Sequence, residues 1–329
     1  MHIKRVLLSF ILAAIPALAA AQADTRQDNR GPDNRLIRVL VGFPTGGATD
    51  IVARILNEKM REVLGRPIIV ENRPGNGGQV AAIRLKNAAR DGTTVMLTID
   101  HTHVTIPLTF KEPGYDPLRD FTPIAGVGQY YNAMAASSKT GIRSLGDLAA
   151  WLKASPGQHN FGIPAAGSVP HFAGLIVGTA LKVELLPSPY KGGAPLVQDL
   201  IGGHVPIGFG SLTDLIDHQR SGQLRVLAVS GTRRARAAPD IPTFQELGLK
   251  GIDRNGWLAF FGPPGMPHTL VTNINAAVRI AMQTPEARER FATLGIEPAP
   301  TEPEELRAWV EDALRHWGPV IRDSGYVLQ

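Results

Sequence analysis

The sequence predicts an α/β protein built on mostly parallel sheets. Short aliphatic or β-branched runs alternate with helical patterns along nearly the whole chain. Runs of that kind are apolar on both sides and need helices on both faces of the sheet they form. The 329 residues, less an N-terminal leader, suffice for two domains of ordinary size. No internal repeat or low-complexity tract breaks the alternation.

The first run, "IRVLV" at residues 37–41, is a buried strand by its length and β-branching. "FPTGGATD" follows at 43–50 and opens a helix over 50–64, in which Ile51, Ile55, Leu56, Met60, Val63 and Leu64 share one face. Strands at 67–71 and 95–98 flank a helix over 79–89. After "DFTPIAGVG" (120–128) a second alternating set begins. In "SLGDLAAWLKASP" (144–156), Ser144 and Asp147 fit a capping box with Asp in the place of Glu. Next come "HNFGIP" (159–164), a helix over 171–181, a strand at 183–190 and a helix over 194–203. Strands at 205–211 and 224–231 lead to the proline-punctuated "APDIPTFQELG" (238–248), a return segment. Helices over 270–282, 285–294 and 303–324 end the chain. Periodicity leaves open whether two domains follow one another or interleave through a chain that crosses over and returns.

The first 23 residues, "MHIKRVLLSFILAAIPALAAAQA", read as a signal peptide. Lys4 and Arg5 precede an apolar core over 6–18 that is too short to span a bilayer. Ala21-Gln22-Ala23 supplies small residues for cleavage after Ala23. An uncleaved anchor is the alternative, and no second apolar run supports it. With no cysteine, an exported chain of this size relies on its core rather than on disulfides. Without Lys4 and Arg5 the formal charge falls from +5 to +3. The densest basic cluster, "TRRARAAPD" at 232–240, is a solvated loop, and no Lys/Arg run argues for nucleic acid. A mildly positive field suits an acidic ligand.

Three loops could carry chemistry. The loop at 43–50 is no Walker motif, since no Gly-Lys-Ser/Thr follows, and no dinucleotide fingerprint, since its glycines are adjacent. Asp50 can cap the helix, and Gly46, Gly47 and the first-turn N–H groups offer donors to an anion. A purely structural turn would use the same residues. A second loop of this design, "PAAGSVPH" at 164–171, carries small residues and one hydroxyl. There Ser168 and His171 share a helix face and admit a nucleophile–base reading. Gly-x-Ser-x-Gly is absent, however, and no acid partner is placed; a cap and a satisfied histidine are the plainer roles. Two such loops in different halves suit two jaws closing on one anion. The third stretch, "TIDHTHVTIP" at 98–107, follows a strand. Asp100, His101 and His103 lack a fourth ligand for zinc. The end of a parallel strand is nonetheless where open α/β sheets place ligands. Asp100 could bond a ligand amine, amide or hydroxyl there, or only cap the next segment.

These segments together resemble the substrate-binding proteins of tripartite tricarboxylate transporters, the Bug receptors. The matching pieces are "IRVLVGFPTGGATDIVAR", "IIVENRPGNGGQVAA", "DGTTVMLT", "GYDPLRDFTPIA", "PSPYKGGAPLVQDLIGGHV", "GQLRVLAVSGTRRARAAPDIPTFQELG" and "EARERFATLGIEP", in family order. The resemblance implies a periplasmic binding protein of the type II fold, with no catalysis and no cofactor, that works as a monomer with membrane permease subunits. A receptor that presents its ligand to a sensor kinase would look the same. Lobe one is expected from 24–125 plus 242–329 and lobe two from 126–241, with the ligand in the cleft and enclosed by hinge closure. The ligand class implied is a small carboxylate: a di- or tricarboxylate, an aromatic acid, or an acidic amino acid or amide. Carried over by position, the first jaw holds Phe43, Thr45, Gly46, Gly47, Ala48 and Asp50, and the second Ala165, Ala166, Gly167 and Ser168. Thr98, Asp100 and His101 line the cleft from a strand end, and Gly210 and Ser211 from lobe two. The sequence departs from the family pattern where Gly42 and Thr45 replace two prolines, and Asp100-His101 replaces small residues. Gly210-Ser211 stands where relatives often carry Asp-Asn. One cleft-side acid is thus expected to be lost from lobe two and one gained in lobe one, which points to a ligand with a polar or cationic group for Asp100.

Overall fold

The computed structural model describes residues 34–327, and the expected signal peptide lies outside them. The strands are β1 (Ile37–Val41), β2 (Ile68–Asn72), β3 (Thr94–Ile99), β4 (Thr122–Tyr130), β5 (Asn132–Ser137), β6 (Asn160–Ile163), β7 (Leu186–Pro189), β8 (Ile207–Ser211), β9 (Leu224–Val229), β10 (Gly256–Gly262) and β11 (Glu297–Pro298). The helices are α1 (Ala48–Leu64), α2 (Gln79–Lys86), α3 (Ile106–Thr109), α4 (Leu145–Ala154), α5 (Val169–Leu181), α6 (Gly193–Gly202), α7 (Leu212–Arg220), α8 (His268–Met282), α9 (Pro285–Thr293) and α10 (Pro303–Asp323).

Two sheets result, ordered β11-β4-β10-β3-β1-β2 and β7-β6-β8-β5-β9. Each contains a parallel set, β2-β1-β3 in the first and β7-β6-β8 in the second. Each also contains a strand running against its neighbours, β10 in the first and β5 in the second. The expected mostly parallel sheets are therefore mixed. The reason is the path of the chain: β5 and β10 are the first strands laid down after each passage between sheets, and they enter from the opposite end.

The outward passage takes a single residue, Tyr131, between β4 and β5; the return runs from β9 to β10. The two connections are tied together where they run side by side. Ser230 N–H donates to Asn132 O at 2.7 Å, and Asn132 N–H donates to Ser230 Oγ at 2.9 Å. Ser230 Oγ–H in turn donates to Asn255 Oδ1 at 3.0 Å. The next residue, Gly231, has φ +89°, and a Cβ there would lie 2.7 Å from Asn255 Oδ1, so only glycine fits.

Both faces of both sheets are covered, as near-continuous apolar strands require. Alternate residues divide between the faces of the first sheet: Val39, Val95, Leu97, Leu258 and Phe260 pack with α1 and α8. Leu40, Met96, Trp257, Ala259 and Phe261 pack with α2 and α10. Helix α1 buries Val52, Leu56 and Met60, an i, i+4, i+8 row, while Val63 is exposed. The apolar stripe is thus turned from the expected one, and Ile51 is left for another use. The second sheet carries α4 and α5 on one face and α6 and α7 on the other. The Ser144 cap is present, with Asp147 N–H donating to Ser144 Oγ at 3.1 Å, while Asp147 itself accepts from Arg143 N–H at 3.0 Å.

Phe260 is fully buried at the centre of the first sheet. Phe260→Ala is expected to lower unfolding free energy by about 3–5 kcal/mol, measured by urea denaturation.

Candidate ligand-binding cavity

The carboxyl ends of β1, β3, β6, β7 and β8 open onto one cavity of about 670 Å³. Four helices begin there: the first turns of α1, α5, α6 and α7 all contribute to its wall through Ala48, Val169, Gly193 and Thr213. Helix N-termini carry unpaired N–H groups and the positive end of the helix dipole. The first intrahelical bond of α1 is Ile51 N–H to Gly47 O at 2.9 Å, so the N–H groups of Ala48, Thr49 and Asp50 have no helical acceptor. Four such ends around one cavity make it a place for negative charge.

The first jaw is held from behind by Asp50. This carboxylate is 1% exposed and does not line the cavity. It accepts from Gly46 N–H at 2.9 Å, Asn72 Nδ2–H at 2.9 Å and Arg54 Nε–H at 3.0 Å. Burial alone would raise its pKa; Arg54, Gly46 N–H and Asn72 outweigh that and hold it below the ordinary value. Asn72 also donates to Phe43 O at 3.1 Å and accepts from Thr45 Oγ–H at 3.1 Å. Asp50 is thus the anchor of the loop rather than a group that faces a ligand. Gly42 is required for a different reason: a Cβ there would lie 2.6 Å from Gly78 Cα. The glycines of "PGNGG" lie as tightly, since a Cβ on Gly77 or Gly78 would come within 2.3 Å of His101 Nε2 or 2.5 Å of Thr102 Oγ1.

Of the residues expected at the site, Phe43, Thr45, Gly46, Gly47, Ala48, Asp100, His101, Ala165, Ser168 and Ser211 line the cavity. Asp50, Thr98, Ala166, Gly167 and Gly210 do not. Thr98 is fully buried within β3, and a side chain at Gly210 would point to Leu196 and Leu215 in the core. Gly167 instead has φ +70° and donates its N–H to His171 Nδ1 at 3.2 Å, which shapes the second jaw. Ser168 Oγ–H donates to Ala165 O at 2.7 Å, so the side chains of Ser168 and His171 are each engaged with backbone and not with one another. Burial pushes His171 down to about 4, which keeps it neutral.

Position 100 begins a single π-helical turn, His101–Thr105, of a kind that often marks functional sites. Asp100 is 5% exposed and accepts from Tyr130 Oη–H at 2.5 Å. Burial raises its pKa to about 6 against the opposing effect of Tyr130 and backbone N–H groups. His101 binds Thr105 Oγ1 through Nδ1 at 2.5 Å and is pushed down to about 4 by burial. His103 turns away and stacks on Phe261 at 4.0 Å.

Sequence reasoning missed a good part of this wall. Tyr130 and Asn132 flank the outward passage, and Lys191, Gly192 and Gly193 form a third loop. "YKGG" lies within one of the matching segments, and its glycines before a helix are the signal the sequence offers. Asp214, in the first turn of α7, also lines the cavity. The second sheet therefore still supplies one carboxylate to the cavity, from a position that the sequence reading did not consider. Ser211 caps α7, Thr213 N–H donating to its Oγ at 3.1 Å, and three residues later Asp214 returns to the same opening. The Ser-Leu-Thr-Asp spacing was the legible sign.

The model of the tripartite tricarboxylate transporter family receptor, TctC, matches residues 52–326. This chain belongs to that receptor family. It is similar to the protein BugT of Bordetella pertussis strain Tohama I, at 30% identity over 332 residues covering all of both chains. Among solved structures, the periplasmic binding protein BugD has a TM-score of 0.81 and 31% identity, covering 90% of this chain and 99% of that one. MatC from Rhodopseudomonas palustris with bound malate has a TM-score of 0.78 and 30% identity, covering 87% and 99%. The receptor has the fold of periplasmic binding proteins, and its family binds solutes rather than transforming them.

Two outcomes follow for this receptor. Asp50→Ala leaves Gly46, Arg54 and Asn72 without their shared acceptor, and is expected to cost roughly 1–3 kcal/mol in urea unfolding. Asp100 rises from 3.8 to about 6 in the fold, so the folded chain holds a proton there that the unfolded chain releases. Its contribution to stability therefore falls as pH rises from about 4 to 6. Asp100→Asn should raise the melting temperature more at pH 7.5 than at pH 4.5; an equal change at both would contradict this.

Proposed function

We propose that this chain is a periplasmic receptor that takes up a small carboxylate in the cavity between its two sheets and hands it to the permease subunits of a tripartite tricarboxylate-type transporter. The observation that carries the reading is the convergence of four helix N-termini on one cavity. Backbone N–H donors bind an oxyanion without a fixed side-chain partner, which suits small acids. The malate bound by MatC, a structural relative of the whole fold, supports the same class.

The two sheets act as two lobes, the first including β4 and the second beginning at β5, joined by the paired connections at Tyr131 and Ser230. Those connections run side by side and are tied to one another at Asn132 and Ser230, which makes them a hinge about which the jaws close. The receptor works as an exported monomer, its leader removed before it folds in the periplasm.

A thermal-shift screen of the purified chain against succinate, malate, adipate, citrate, benzoate and glutamate tests the reading. A ligand at about 100 times its dissociation constant adds roughly 2.7 kcal/mol to stability. Ala48→Pro sharpens the test, because proline is tolerated at the first helical position and removes only one N–H. It is expected to weaken binding of the best ligand about five- to tenfold, as loss of one hydrogen bond does, with the circular dichroism spectrum unchanged. If no carboxylate shifts the melting temperature, the reading fails.

A further inference from the structure

The polar network at the two connections does not stop at Ser230. Tyr131, the single residue of the outward passage, is fully buried, and its Oη–H donates to Glu297 Oε1 at 3.0 Å. Asn255, which accepts from Ser230 Oγ–H, also acts on that hydroxyl. Arg233, on the return passage, pairs with the other oxygen of the same carboxylate, Glu297 Oε2. Glu297 belongs to β11, the edge strand of the first sheet, so one carboxylate at that edge holds a residue of each passage. Arg233 comes from the basic cluster at 232–240. Its neighbour Arg234 turns the other way, to Glu246 Oε2 at 2.9 Å and Pro239 O at 3.1 Å.

The two bonds to Glu297 are unequal. The Arg233 side chain is 57% exposed, and an ion pair so placed contributes little by itself. The Tyr131 hydroxyl lies on a buried residue and must find an acceptor there, and an ionised acceptor makes the stronger bond. β11 is two residues long and pairs with β4 through Glu297 opposite Gln129 and Pro298 opposite Gly128. Glu297 thus reaches the outward passage from beside the strand that leads into it. Just before it in the chain, Leu294 and Ile296 line the cavity, as Asn132 does at the other end of the network. Cavity wall and hinge are joined from both ends.

We propose that Glu297 is a positioning residue for closure: its carboxylate clamps the outward and return passages to the edge of the first sheet and limits how far the lobes swing apart without ligand. The clamp rests on the hinged-receptor reading above and adds a device that sets its resting state. Tyr131 carries most of the effect, and Arg233 adds to it from the solvent side.

The chain has no cysteine, so Glu58→Cys on α1 and Asp217→Cys on α7, both exposed positions, can carry a pair of spin labels. Their distance distribution, read by pulsed electron resonance, reports how the lobes stand. In the ligand-free receptor Glu297→Ala is expected to widen that distribution by about half or more, with the circular dichroism spectrum unchanged. Tyr131→Phe and Arg233→Met each remove one bond; the first is expected to widen the distribution more, and neither adds to Glu297→Ala. The carboxylate that binds best should leave Tyr131→Phe roughly threefold or more faster than the native chain in stopped flow. If Glu297→Ala does not fold, Tyr131→Phe and Arg233→Met decide. A distribution that the folded variants leave unchanged, even with a lower melting temperature, overturns the clamp, makes Glu297 a stabilising residue only and leaves the receptor reading standing. Widening in a chain that no carboxylate stabilises upholds the clamp and overturns the carboxylate reading instead.

Discussion

The hydrogen bonds between Asn132 and Ser230 lie where the chain passes between its two sheets, and the rest of the architecture depends on that junction. Because the passages are side by side, the parallel strands of both sheets end on the same cavity. The antiparallel course of β5 and β10 is the local signature of the same constraint.

Given that frame, the character of the cavity follows from helix polarity. The parallel strands β1, β3, β6, β7 and β8 each feed a helix or helical turn that starts at the cavity, so unpaired N–H groups accumulate there without any cationic side chain being required. The loops must come close to do this, and small residues permit it. Gly42 against Gly78, Gly77 against His101 and Gly193 against Asp214 are three such approaches. Asp50 completes the first jaw from inside, where Arg54 and Asn72 hold it ionised despite burial. The cavity wall and its support are therefore made of different residues, with the buried charge of Asp50 in the support.

Legibility differed sharply between these parts. The strands of the parallel sets and the long helices were readable because burial on both faces leaves unbroken apolar runs. β10 was not read, since "GWLAFFG" has neither strand periodicity nor turn signals of its own and is buried by what packs on it. Both small-residue loops were recognised from glycines placed between strand and helix. The direction of a side chain was not: Asp50 was expected at the ligand and instead faces inward, while Asp214 was overlooked and faces the cavity.

The sequence by itself determined the α/β class, the position of the small-residue loops that line the cavity and the resemblance to tripartite tricarboxylate transporter receptors. These are local properties, set by periodicity, by glycine and by helix starts. Only the tertiary structure decided which carboxylates share the cavity and which lie behind it. Asp100, Tyr130, Asn132 and Asp214 come from four separate elements, and Asp50 turns inward because Arg54 and Asn72 are already waiting there. Such choices depend on contacts between residues far apart in the chain, and no pattern within a single segment records them.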